Sequence, residues 1–157
     1  MGPLKNISVL EFSGLGPGPY CGMLLADMGA NVIRIGRKGT EGIENKFDIH
    51  NRSKRSITAD LKNKDTINEV LKLIDQMDVV FEGYRPGVME KLGLGPNVCL
   101  ERNPKLVYGR MTGWGQEGPM SNQAGHDINY ISLSGALNAI GRKGSNPIPP
   151  LNLIGDY

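Results

Sequence analysis

The chain has 157 residues and a formal charge of +2, with 22% charged and 39% hydrophobic residues, the balance of an ordinary globular domain. No apolar run approaches the roughly 20 residues of a bilayer span, and Met1 to Ile7 lacks a secretory h-region. The expected setting is therefore the cytosol or an organelle matrix.

Taken in chain order, the pattern alternates strands and helices. Ile7 to Phe12 reads as a short apolar strand, Pro19 to Gly29 as a helix with Met23, Leu24 and Met28 on one face, and Asn31 to Ile35 as a second strand. Lys64 to Gln76 follows as a helix with Ile67, Val70, Leu71 and Ile74 at helical spacing. Asp78 to Glu82 is the third strand, Pro86 to Leu92 and Pro96 to Arg102 are helices opened by proline, and Lys105 to Met111 is the fourth strand. Beyond Met111 the texture turns to Gly, Pro, Ser and Asn, with one helix from His126 to Ala139. Helices between apolar strands imply an α/β fold with a Rossmann-like, doubly wound parallel sheet.

Cys21 and Cys99 have no Cys-x-x-Cys spacing and read as free, buried thiols in a reducing compartment. His50 and His126 have no ligand-spaced partners, which argues against metal. From Arg34 to Lys64, nine basic residues stand against four acidic ones, a local charge of +5 that leaves −3 for the rest. Such a segment is either a solvated face or an anion site, and its place beside a strand end favours a phosphate ligand. Nucleic acid fits poorly, since Phe47 is the only aromatic residue there for bases to stack on.

The turn Ser13-Gly14-Leu15-Gly16-Pro17-Gly18-Pro19 fails the dinucleotide spacing, because the sixth position from Gly14 is Pro19 and from Gly16 is Cys21. The second strand ends in Ile35-Gly36-Arg37, without the acidic residue that holds a ribose diol. A tight strand-to-helix turn is the better reading, with an Arg37-based NADP site the weaker one.

The most chemical stretch is Gly125-His126-Asp127-Ile128-Asn129-Tyr130, followed thirty residues after the histidine by Gly155-Asp156-Tyr157. Imidazole is a base near neutral pH, and a carboxyl in a suitable environment acts as acid or base. Alone, His126 reads better as a buried or capping histidine, and Asp156 as a helix N-cap, a role compatible with chemistry.

Several ordered segments carry a resemblance. They are Ser8-Val9-Leu10-Glu11-Phe12-Ser13 with Gly16-Pro17-Gly18-Pro19, Leu25 to Ile35, Asn51-Arg52-Ser53-Lys54-Arg55-Ser56-Ile57 with Asp60-Leu61-Lys62, Phe81-Glu82-Gly83-Tyr84-Arg85-Pro86-Gly87-Val88-Met89, and Thr112 to Pro119. Together they resemble the N-terminal part of the family III CoA transferases and their racemase relatives. Gly-His-Asp-Ile-Asn-Tyr is similar to the α-methylacyl-CoA racemase subgroup.

The resemblance implies that residues 1–157 are the first part of a large CoA-binding catalytic domain, with the small domain and C-terminal return absent. It implies racemisation of 2-methylacyl-CoA thioesters through an enolate, with His126 and Asp156 catalytic and no cofactor beyond the coenzyme A of the substrate. Arg37, Ala59, Asp60, Leu61 and Lys62 are then expected to contact CoA, with Arg52, Arg55, Lys62 and Arg85 as phosphate candidates and Lys38, Lys46 and Lys64 solvated. Gly125, Asp127, Ile128, Asn129 and Tyr130 are expected at the acyl and pantetheine end. There the Asp127 N–H would be free for an enolate oxygen, and Asn152 would orient the dyad. The full-length protein is expected to be an interlocked homodimer, without nucleic-acid or membrane partners, and the 157-residue chain to be inactive alone. The alternatives are a CoA transferase using an Asp156 acyl anhydride, and a non-catalytic CoA-binding fragment.

Overall fold

The computed structural model describes residues 2–12, 14–37 and 47–157. Ser13, Lys38 and Lys46 lie outside the described residues. Two compact units divide the chain, residues 1–111 and 112–157.

The first unit is built on a parallel sheet. β1 (Ser8–Phe12) is buried from Val9 onward. Alternation along the strand sends Leu10 and Phe12 into one apolar cluster and Val9 into another, so both faces of the sheet are covered. α1 (Pro17–Asp27) leads into β2 (Asn31–Arg37), and a 3-10 turn at Ile49–Asn51 precedes β3 (Arg55–Ala59). Then follow α2 (Lys64–Ile74), β4 (Val79–Glu82), α3 (Val88–Lys91), α4 (Pro96–Arg102) and β5 (Val107–Arg110). The spatial order is β3-β2-β1-β4-β5, with every neighbouring pair parallel. Leu10 lies in register with Ile33 on one side and Val80 on the other.

The larger cluster joins Leu10, Phe12, Ile35 and Val80 to Val70 and Ile74 of α2, Met89 of α3 and Cys99 of α4. Val9, Val32 and Phe81 turn the other way and meet Ala26 of α1 and Ala30. Helices on both faces make the sheet doubly wound, as the sequence pattern predicts.

The local chemistry explains the element ends. Gly16, at φ 63° before α1, adopts a left-handed backbone that favours glycine. Asn63 caps α2 by accepting from the Asp65 and Thr66 amides at 2.8 and 3.3 Å. At the other end, the Asn103 amide donates to the carbonyls of Ile74 and Met77.

The structure departs from the sequence reading in four places. β3 is a fifth strand that the pattern did not disclose, because Arg55 to Thr58 are exposed on the sheet's edge and only Ala59 is buried. Pro86 and Gly87 precede rather than enter α3, with Gly87 in a left-handed conformation at its N-cap. The helix expected from His126 to Ala139 is α5 (Asp127–Leu133), ended before Gly135 at φ 82°, and a separate 3-10 turn at Leu137–Ala139. Cys21 is half-buried rather than buried. Cys99 is fully buried, donates to the Leu94 carbonyl at 3.3 Å, and has its thiol pushed up to about 11 by burial.

No helix among the described residues is long and apolar enough to cross a membrane. None of the described residues form a group of three or more His, Cys, Asp or Glu suited to a metal ion.

Candidate active site

In the first unit, the parallel arrangement brings the C-terminal ends of the strands to one edge, where α/β sheets bind ligands. Arg37 ends β2 in register with Ala59, the last residue of β3. Asp60 accepts the Lys62 N–H on its carboxylate and the Asn63 N–H on its carbonyl, both at 3.0 Å. These bonds fold Ala59-Asp60-Leu61-Lys62 into the turn that opens α2. Arg85 is exposed in the loop after β4.

Two other phosphate candidates stand elsewhere. Arg52 forms a two-point pair with Asp27, the last residue of α1, and Arg55 donates to Asn31 at 2.6 Å. Asn31 opens β2 and Arg55 opens β3. The structure therefore groups Arg37 with residues 59–62 and leaves Arg52 and Arg55 at the opposite end of these strands, each already engaged by a side chain.

Between these arginines lies a group that the motifs did not expose. Lys54 is buried, its ammonium 2.6 Å from Glu11 Oε2 and 2.8 Å from the Pro19 carbonyl. Burial pushes the Glu11 carboxyl up, against the opposing pull of Lys54. Glu11 Oε1 has no hydrogen-bond partner, and Gly22 leaves no room for a Cβ against Glu11 Oε2. An acidic residue inside a five-residue apolar strand was the available signal.

A second buried carboxylate, Glu82, ends β4. It accepts the Tyr84 N–H at 2.7 Å and meets Arg110 at 3.3 Å. Burial pushes it up as well, with the Tyr84 amide and Arg110 acting in the other direction.

In the second unit, α5 places the candidate dyad. His126 is its N-cap, with extended backbone and an N–H bonded to Asn129 Oδ1 at 3.0 Å. The imidazole is 80% exposed, and its Nδ1 lies 3.5 Å from Asp156 Oδ2. Asp156 Oδ2 also accepts the Asp127 N–H at 3.0 Å, satisfying one of the amides that a helix start leaves open. That bond corrects the sequence expectation: the Asp127 N–H serves the Asp156 carboxylate rather than standing free for an enolate oxygen.

Asp127 itself is buried, and its Oδ1 accepts from Ile154 and Gly155 at 2.7 and 2.5 Å. Asp127 is thus bonded to residues 154, 155 and 156, and no described hydrogen bond joins Asn152 to His126 or Asp156. Ile128 and Asn129 are exposed on α5, while Gly125 and Tyr130 are half-buried.

Tyr130 organises this unit. Its ring packs edge-on to Trp114 with centroids 5.0 Å apart. A Cβ on Gly125 would stand 2.8 Å from both rings, one on Gly113 would collide with the Tyr130 hydroxyl, and one on Gly155 would come within 3.1 Å of Tyr130 Cβ. Three glycines separated in sequence therefore converge on one tyrosine. The Thr112-Gly113-Trp114-Gly115 motif has a structural task that spacing alone did not reveal.

The chain belongs to the CoA-transferase family III, which residues 4–157 match. The alpha-methylacyl-CoA racemase of Mus musculus is 51% identical over 154 residues, 98% of this chain and 39% of that protein. The succinyl-CoA:glutarate CoA-transferase of Homo sapiens is 31% identical over 160 residues, 94% of this chain and 36% of that protein. Among solved structures, Rv3272 from M. tuberculosis in its orthorhombic form superposes with a TM-score of 0.86 at 34% identity, covering 99% of this chain and 46% of that one. The chain spans about two fifths of the length of these curated relatives.

Proposed function

We propose that the protein carrying this chain racemises 2-methylacyl-CoA thioesters, with His126 and Asp156 exchanging the α-proton. The supporting observation is an exposed imidazole beside a tethered carboxylate at the start of α5. One group takes the α-proton, the electron pair passes to the thioester oxygen as an enolate, and the other group returns a proton to the opposite face. Two atoms that each approach a carbon at roughly 3–3.5 Å stand about 6–7 Å apart, farther than the 3.5 Å of the resting pair. His126 therefore swings away as substrate arrives, while Asp156 stays on the Asp127 amide.

Arg37 and the 59–62 turn hold the CoA moiety, with Lys62 and Arg85 at its phosphates. The similarity to a succinyl-CoA:glutarate CoA-transferase supports a second reading. In it, an Asp156 oxygen attacks the thioester carbonyl, expels the CoA thiolate and forms a mixed anhydride.

Deuterium incorporation from D2O into each enantiomer of a 2-methylacyl-CoA, by the full-length protein, separates the two. Racemisation predicts exchange from both enantiomers, and His126→Ala should slow one of them on the order of 10²-fold. CoA transfer to a free acid without α-exchange would establish the transferase instead.

A further inference from the structure

We propose that Asp127 is a positioning residue, which fixes Asp156 by gripping the backbone just before it and donating its own amide to the Asp156 carboxylate. The geometry is reciprocal. Asp127 Oδ1 accepts the Ile154 and Gly155 amides at 2.7 and 2.5 Å, and Asp127 N–H donates to Asp156 Oδ2 at 3.0 Å. Three hydrogen bonds thus join one residue of α5 to three consecutive residues 27 to 29 positions later.

The turn they hold has little else to fix it. Ile154 and Gly155 are exposed and belong to no helix or strand, and Asp156 is only half-buried. Asp127, by contrast, is 6% exposed. A buried carboxylate needs partners, and bonds to charged acceptors are stronger than neutral ones. Gly155 permits the approach: a Cβ there would stand 3.1 Å from Tyr130 Cβ and 3.4 Å from Asp127 Oδ1. Tyr130 and Asp127 therefore close on the same glycine from α5, one by packing and one by hydrogen bonding.

The role of Asp127 is to hold the dyad rather than to touch the substrate. Its Oδ1 is turned to the 154–155 backbone and its N–H to Asp156, so it acts on the reaction through where Asp156 sits. This rests on the reading of Asp156 as a proton-transfer group, and the experiment separates the two.

In the full-length protein, Asp127→Ala removes the acceptor, Asp127→Asn keeps an amide oxygen able to accept both N–H bonds, and Asp156→Asn and Asp156→Ala act on the partner. Two readouts are taken: steady-state α-deuteration of each 2-methylacyl-CoA enantiomer, and hydrogen–deuterium exchange of peptides covering residues 127 and 154–156. The expected result is a fall in kcat on the order of 10²-fold for Asp127→Ala, with KM and CoA affinity close to the parent. Amide protection at 154–155 should be lost with it, and Asp127→Asn should restore most of both.

Parent-like kcat in Asp127→Ala, parent-like protection at 154–155, or Asp127→Asn as slow as Asp127→Ala would each overturn the proposal. If Asp127→Ala does not fold, Asp156→Ala decides: with the acceptor removed, the Asp127 amide should exchange faster than in the parent, and an unchanged amide overturns the proposal. If instead Asp156→Ala and His126→Ala keep full exchange, the racemase reading fails. The tether then stands or falls on amide protection alone.

Discussion

The two units of the chain are held together by different physics. Residues 1–111 bury eighteen of the nineteen core hydrophobics among the described residues, and from 112 onward only Ile131 joins them. The sheet unit is a hydrophobic object, in which a strand's position follows from burying both faces. The α5 unit is held by an aromatic pair, by glycines that admit it, and by hydrogen bonds to one buried aspartate. Apolar burial is tolerant of small displacements, whereas hydrogen bonds are directional. The unit that carries the candidate proton-transfer groups therefore has the more exacting geometry and the smaller core, an arrangement often met at functional sites.

The sheet unit departs most sharply from hydrophobic logic at the buried Lys54–Glu11 pair. Lys54→Met leaves the Glu11 carboxylate buried without its partner, and loss of one member of a buried pair costs about 3–5 kcal/mol. Urea unfolding followed by far-UV circular dichroism should show that loss. Replacing both residues by Met should recover most of it, since Glu11 Oε1 is unsatisfied even in the parent.

The pH dependence has a defined sign. Burial raises the folded Glu11 carboxyl, so stability favouring its protonated form is present below the unfolded carboxylate range and is lost as pH rises through the folded value. Without Lys54 the carboxyl rises further, and the deficit of Lys54→Met should be smallest in mild acid and largest near neutrality. A deficit independent of pH would show that the pair does not control this region.

A smaller effect sharpens the other side of the comparison. Trp114 is the only tryptophan in the chain, so its fluorescence reports the α5 unit alone. Gly125→Ala places a methyl 2.8 Å from both Trp114 and Tyr130, and overpacking of this kind costs about 1–3 kcal/mol. The expected result is an earlier fluorescence transition, with the dichroism of the sheet moved less. Coincident shifts in both probes would mean that the two units unfold as one.

What could be read in advance follows the same division. β1, β2, β4 and β5 were legible because they are short apolar runs between helical patterns, and the doubly wound class followed from that alternation. β3 was hidden because an edge strand with Arg55, Ser56 and Thr58 exposed carries almost no hydrophobic signal. The family resemblance offered Arg52 and Arg55 as phosphate candidates, but a motif does not reveal that Asp27 and Asn31 engage them in this structure. His126 and Asp156 were legible as reactive types in a motif. The bonds through Asp127 were not, since contacts between residues nearly thirty positions apart leave no local pattern.

The smallest predicted effect concerns two helix starts that solve one problem differently. α2 is capped locally, by the Asn63 side chain accepting two amides of its own first turn. α5 has its Asp127 amide met by a carboxylate 29 residues away. Asn63→Ala should cost about 1 kcal/mol, the usual value of such a cap, and should leave α-proton exchange by the full-length protein unchanged. Asp156→Asn should do the reverse, because an amide oxygen still accepts from Asp127 but no longer takes up or returns a proton. Unfolding midpoints and deuteration rates measured on both variants test the pair. A loss of exchange in Asn63→Ala comparable to that in Asp156→Asn would show that α2 contributes to the chemistry, and that the division between a structural and a reactive helix start is wrong.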